Sequence, residues 1–447
     1  MMVRNRDDIA TSELRSRAMD IVEAGISRVL PPALMRSSVR YDSTRGQLSV
    51  LDTTYDVSPG RLFVVGGGKA VGLMAEALEA IVGVENLTAG VVTCVSIGYG
   101  TQKIRILEAG HPIPDGRGQA GLEQMLSLKK RHSLGQRDLV VCLISGGGSA
   151  LMPLPVKAVS LEDKRATTKA LLGSGAGIRE INAVRKHLSR VKGGRLGRFF
   201  YPSTVVSLII SDVVGNDLES IASGPTAPDS STFADASAVL KKYGLTGKVP
   251  RAVADFLKRG CEGEEEETPK TLENCSNYII GDNMLALEAM SAEAKNMGLV
   301  PHIVTAEQTG DTNAAAARRA EEILGGKYAG CDVVLVGGET TPTLPEKAGR
   351  GGRNQHYAAA TMLAMEKYAG QWVVASVGTD GSDFGRDAAG GIVDNSSLET
   401  ARARGIDVQS YLDSYDSNTL LRKLGRSLIV TGNTGTNVSD IMVYILR

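Results

Sequence analysis

Residues 62–78 read LFVVGGGKAVGLMAEAL. Leu62–Val65 is an uninterrupted apolar run suited to a buried strand. Three glycines break it, and apolar residues then recur at helical spacing from Ala70 to Val82. A strand that empties through glycines into a helix is half of a βαβ unit. The stretch LISGGGSALM at 143–152 repeats the design, with serines flanking the glycines. Both runs are continuous rather than alternating, the pattern of a parallel sheet covered on both faces.

The alternation extends in both directions. Residues 12–30 space Ala18, Ile21, Val22, Ile26 and Val29 as one helix, and Pro31 and Pro32 read as its end. AGVVTCVS, RDLVVCLIS and TVVSLIISDVVG read as strands, while Gln119–Lys130, LEDKRATTKALLGSG and IREINAVRKHLS read as helices. A doubly wound α/β domain over 1–257 is predicted. KRGCEGEEEETPKTLENC (258–275) interrupts the pattern, and its Glu264–Glu267 run reads as a solvated, mobile linker or insertion. Beyond it come NYIIGD, a helix over 284–297, PHIVT, an Ala-rich helix over 311–325, CDVVLVGGE and QWVVASVGTDG. RSLIVTGNTGTNVSDIMVYIL (426–446) reads as a strand pair around a Gly/Thr loop. The second, smaller α/β domain, 276–447, is therefore expected to carry a mixed sheet.

Composition excludes several classes of function. Basic and acidic side chains balance at 50 each, so the excess that phosphate backbones demand is missing and no nucleic-acid partner is expected. No apolar stretch approaches the length of a spanning helix, and the N-terminus MMVRNRDDIA lacks an apolar signal core, so a cytoplasmic chain without a membrane partner is expected. The five cysteines form no C-x-x-C pair, which suits a reducing compartment.

In open α/β sheets ligands bind outside the carboxyl ends of the strands. The unusual residues sit there: Gly66–Lys69, Ser145–Ser149, Ser211–Asp217, Gly337–Thr341 and Gly378–Asp383. Any one loop is equally a tight turn, but the series favours a polyanion site. GGGKAVG fits neither G-x-x-x-x-G-K-[ST] nor G-x-G-x-x-G, so the two standard nucleotide fingerprints are absent. Lys69 could neutralise a phosphate or snorkel from a first helical turn. Arg353, in GRGGRNQH (349–356), could hold a carboxylate or phosphate bidentately or lie on a surface turn. Asp380, Asp383 and Asp387 crowd GTDGSDFGRDAAGG (378–391), where magnesium binding, general-base work or turn capping are open; Asp212 and Asp217 admit the same readings. Among the five histidines, His111, His187 and His356 lie in notable settings, but no zinc spacing appears.

Nine segments together resemble the class II glycerate 2-kinases with a MOFRL-type C-terminal domain. They are GGGKA, HPIPDGRG, LISGGGSALMPLP, INAVRKHLSRVKGGRL, ISDVVGNDLESIASGPT, LVGGETTPTL, GGRNQH, GTDGSDFGRDAAGGIVD and TGNTGTNVSDIMV, in family order over about 60–445. The resemblance implies a Rossmann-like N-terminal domain, a MOFRL-type region over about 332–445, and a cleft between two domains. It also implies ATP-dependent phosphorylation of D-glycerate to 2-phosphoglycerate and ADP with Mg2+, by a monomer or homodimer. Lys69 and Arg353 match the family's expected catalytic or substrate-binding positions. Asp212 and Asp380 are the candidates for holding magnesium or accepting the hydroxyl proton. Gly67, Gly68, Ser145, Gly146, Gly147, Gly148, Ser149, Lys192, Gly338, Glu339, Asn354 and Thr436 are the expected substrate and nucleotide contacts. His356, Asn433 and the FGR turn at 384–386 depart from the family pattern. The rival readings are a hydroxypyruvate reductase-type oxidoreductase and a non-catalytic metabolite-binding regulator.

Overall fold

The computed structural model describes residues 2–384 and 387–447, so the Gly385–Arg386 part of the FGR turn lies outside the described residues. The chain divides into two compact units, one of residues 34–280 and the other of the N-terminal 33 residues with 281–447.

The 34–280 unit begins with three short antiparallel strands, β1 (Val39–Asp42), β2 (Gln47–Val50) and β3 (Thr53–Asp56). Its main sheet contains β4 (Leu62–Gly67), β5 (Leu87–Cys94), β6 (Ile104–Glu108), β7 (Leu139–Ser145), β8 (Thr204–Ile210) and β9 (Cys275–Gly281). The spatial order is β6-β5-β4-β7-β8-β9, and the pairs from β6 through β8 are all parallel. Every residue of β4 and β7 is buried, which is why their sequences are continuous apolar runs. Counted from β4 the order is 3-2-1-4-5-6, and its switch point falls between β4 and β7.

The other unit has β10 (Pro301–Gln308), β11 (Val333–Gly338), β12 (Trp372–Gly378), β13 (Gly390–Asp394), β14 (Leu428–Ile429) and β15 (Asp440–Leu446), in the order β10-β11-β15-β12-β13-β14. Only β10–β11 is parallel among its pairs, so the sheet is mixed, as expected. The helix Glu13–Arg28 belongs here. Its Arg15 is buried and donates to Asp394 (2.5 Å), Ser397 (2.9 Å) and the Arg426 carbonyl (2.6 Å).

Four expectations need correction. The first helix does end before Pro31 and Pro32, at Arg28, but the prolines also open a further helix, Pro31–Ser38, because proline lacks only an N–H that a first turn leaves unpaired anyway. NYIIGD does not begin the second sheet but lies in β9, the last strand of the first. The 258–275 stretch is not a loose linker: it begins inside the last turns of the helix Arg251–Cys261 and is pinned to its unit. Glu267 accepts from His187 Nε2 (2.7 Å) and Phe233 N (2.9 Å), and Arg259 donates to Glu265 (2.9 Å). Lastly, β14 and β15 do not pair with each other. The two-residue β14 sits at the sheet edge, and the loop between them carries the chain across to the central position of β15.

Candidate active-site loops

In the 34–280 unit, the loops after β4 and β7 close on each other at the switch point. Lys69 N donates to Gly146 O (2.8 Å), Ala70 N to Ser145 Oγ (3.0 Å) and Gly68 N to Thr93 O (3.2 Å). These bonds consume the amides that the sequence offered as one anion cradle, so Gly67 and Gly68 serve the approach of two loops. Any Cβ on Gly68 would strike Ser145 Oγ. The second loop differs. Among the described contacts the N–H groups of Gly147, Gly148 and Ser149 find no acceptor, and Gly147 has the left-handed φ of +81° that only glycine adopts readily.

Three polar side chains gather on that second loop. A Cβ built on Gly147 would lie 3.0 Å from both Lys69 Cγ and the His111 ring, and one on Gly146 would collide with the Asp212 carboxylate. Lys69, His111 and Asp212 thus ring Gly146–Gly147. Behind them Ser149 Oγ meets Ser223 Oγ (2.7 Å), which contacts Asn182 Oδ1 (3.4 Å). Lys192 is wholly buried, donating to the Ala222 carbonyl at 3.3 Å, and burial drives its proton affinity well down. Ala222 and Ser223 both hold left-handed backbones (φ 51° and 63°), which residues with side chains seldom adopt.

In the other unit, β15 runs antiparallel to both neighbours, so Asp440 at its start stands opposite Gly338 and Gly378 at the ends of β11 and β12. Arg353 opens the helix Arg353–Ala364 and grips Asp440 through Nε (2.5 Å) and Nη2 (3.1 Å), while Nη1 reaches Glu339 (2.7 Å). Burial opposes the guanidinium charge, but Asp440 and Glu339 outweigh it and hold the proton more tightly than usual. Asn354 donates to Asp440 (2.9 Å) and accepts from Ser376 (2.7 Å). Asp383 receives the amides of Asn354 (3.0 Å) and Gln355 (2.8 Å), and burial raises its pKa to about 6.

Other predicted residues make the following contacts. Asp380 accepts from Ser382 N (2.9 Å) in a tight turn. Thr436 is buried and donates to the Val29 carbonyl (2.6 Å). Gly338 permits β11 to lie against the Gln308 backbone. His356 is buried, with Nε2 on Asn313 (2.8 Å) and its ring stacked 3.8 Å from Tyr415; burial lowers its pKa to about 4, keeping it neutral. Among the described residues no group of three or more His, Cys, Asp or Glu is placed to hold a metal. Sequence reasoning missed Asp440, whose signal was an acid opening an otherwise apolar strand, DIMVYIL. It also missed Ser223 and Asn182, which carried no local signal.

Comparison with known proteins accords with this architecture. A family model described as a domain of unknown function, DUF4147, matches residues 17–258, and the MOFRL family model matches 332–440. A glycerate 2-kinase of Pyrococcus horikoshii is 40% identical over 96% of this chain and 98% of its own. An Agrobacterium vitis protein with a provisional name as a hydroxypyruvate reductase is 39% identical over 90% of each chain. The crystal structure of a Thermotoga maritima glycerate kinase superposes with a TM-score of 0.84 at 36% identity, covering 96% of this chain and 99% of that one. With two family models in order and near full-length relatives at such identity, the chain belongs to the glycerate kinase family.

Proposed function

We propose that this chain transfers the γ-phosphoryl group of ATP to the 2-hydroxyl of D-glycerate, giving 2-phosphoglycerate and ADP. The observation that carries this reading is the convergence of Lys69, Asp212 and the open amides of Gly147–Ser149 at the β4–β7 switch point. Phosphoryl transfer requires positioning and charge neutralisation more than a covalent nucleophile. The Ser145–Ser149 loop receives a phosphate of the nucleotide on its backbone amides, and Lys69 neutralises the group in transfer. Arg353, held in orientation by buried Asp440, binds a substrate anion in exchange for half-exposed Glu339. Magnesium supplies further neutralisation of phosphate charge when bound. Asp212, an oxygen donor against the glycine loop, suits an ion that takes one or two carboxylates together with substrate phosphates. Asp380 remains the alternative for that task or for accepting the hydroxyl proton.

A second reading has two observations in its favour: the 3-2-1-4-5-6 order is that of dinucleotide-binding sheets, and two relatives are named for hydroxypyruvate reduction. Against it, the first βα turn lacks G-x-G-x-x-G, and its amides are already bonded to the neighbouring loops. Oxidation of NADH by hydroxypyruvate without ATP would favour the reductase. The kinase reading predicts ADP formation only when D-glycerate is present, with a product that enolase converts directly to phosphoenolpyruvate. A product that enolase takes only after phosphoglycerate mutase acts would contradict transfer to the 2-hydroxyl.

A further inference from the structure

Behind the glycine loop the 34–280 unit encloses basic side chains with few partners to balance them. Lys164, on the helix Leu161–Leu172, is 5% exposed, and its ammonium has no hydrogen-bond partner among the described residues. Its charged neighbours are Arg185 and Arg195, and no carboxylate is prominent around it. Arg185, half-buried on the helix Ile178–His187, has no side-chain hydrogen bond or ion pair among the described contacts. Lys192 has three donors and one long bond, to Ala222 O. Lys164 and Arg185 both act on it as like charges. By contrast, Lys186 on the same helix is fully paired with Glu219 (2.9 Å) and Asp229 (3.0 Å), and Arg195 is satisfied by the Ser189 and Glu266 carbonyls (2.7 and 2.8 Å). The chain thus pairs Lys186 and satisfies Arg195 but leaves Lys164, Arg185 and Lys192 without an ion pair among the described contacts.

Lys192 and Arg185 connect to the glycine loop through neighbouring residues, and Lys164 interacts electrostatically with both of them. Asn182 lies one helical turn before Arg185 and contacts Ser223, and Ser223 contacts Ser149 of the loop. Ala222, which takes the Lys192 ammonium, would meet a Cβ on Gly148 at 2.7 Å. Burial pushes unpartnered amines toward the neutral form, and an arriving anion supplies the counter-charge that restores their protons. We propose that Lys164, Arg185 and Lys192 form an anion-binding site behind the Gly146–Ser149 loop, one that takes a compact oxyanion of the reactants. It rests on the kinase reading for the identity of that oxyanion, a phosphate of the nucleotide or the carboxylate of glycerate.

The test is thermal melting of the full chain with and without inorganic phosphate, paired with steady-state kinetics, for wild type, Lys164→Met and Arg185→Gln. Phosphate should raise the wild-type melting temperature and leave both variants unmoved. Lys164→Met without ligand should melt above wild type, because the cost of enclosing an unpartnered amine is gone; a merely structural lysine would melt lower. The variants should raise one KM roughly ten- to a hundred-fold, the loss expected of a charged hydrogen bond, with kcat changed less. A shift in the KM for ATP identifies a phosphate, and a shift in the KM for glycerate identifies the carboxylate. If Lys164→Met does not fold, Arg185→Gln and the conservative Lys164→Arg, which should retain protection, carry the test. Variants that keep phosphate protection and both wild-type KM values overturn the proposal, as does a wild type that phosphate does not protect. A wild type lacking glycerate-dependent ATP turnover would sink the kinase reading alone, since the melting arm does not depend on turnover.

Discussion

Asp383 commits both carboxylate oxygens to the first turn of the helix Arg353–Ala364, receiving two backbone amides and the Asn354 and Gln355 side chains. All four partners are donors, so Asp383→Asn turns a donor toward donors. It should lower unfolding stability by about 1–3 kcal/mol in denaturant titration; an unchanged midpoint would contradict this packing. Lys164 gives a prediction of opposite sign. Burial lowers its pKa from 10.5 to about 7, so across that window the unfolded chain holds a proton that the folded chain has released. Stability from this group therefore rises with pH through the window and is lost as pH falls toward 7. Lys164→Met should be more stable than wild type by about 1–4 kcal/mol near neutral pH. That advantage should fade toward pH 10.5; an advantage that grows with pH would refute the assignment. Sequence made Lys69 and Arg353 legible because charges beside strand-end glycines stand out. Lys164 was not legible, since a lysine in a helix ordinarily reads as solvated, and only the packed fold shows that this one is enclosed.

Among elements, the glycine loops separate into two kinds. Gly66 (φ +138°) lies against the backbone of Leu143 in β7, so an added Cβ has no flexible neighbour to displace. At Gly146 the three atoms nearest an added Cβ all belong to the Asp212 side chain, which can swing away. Gly66→Ala should therefore fail to fold or melt far below wild type, whereas Gly146→Ala should stay folded and lose turnover by about tenfold or more through displacement of Asp212. Equal effects in melting and kinetics would contradict that division. The parallel strands were legible because burial on both faces leaves no polar residue in the run. The short antiparallel strands β1–β3, the helix Pro31–Ser38 and the two-residue β14 were not, because their patterns are too brief or begin with a residue that reads as a stop.

For the whole molecule, the decisive long-range fact is that the N-terminal 33 residues belong with residues 281–447. Sequence order suggested two consecutive domains, and no periodicity reveals which sheet a terminal helix will cover. Arg15 is one anchor: Arg15→Met would leave Asp394 buried beside no cation and should cost about 3–5 kcal/mol in unfolding stability; a loss under half of that would show the anchor to be weak. The doubly wound sheet, the mixed sheet and the glycine loops were legible, yet the unit boundaries needed three-dimensional contacts. The central claim, that the β4–β7 crevice carries phosphoryl transfer, is tested most directly by Lys69→Ala in the glycerate-dependent, enolase-coupled assay. We predict a protein that melts with wild type and turns over about a hundred- to a thousand-fold more slowly. A folded Lys69→Ala variant with near wild-type kcat would contradict the claim.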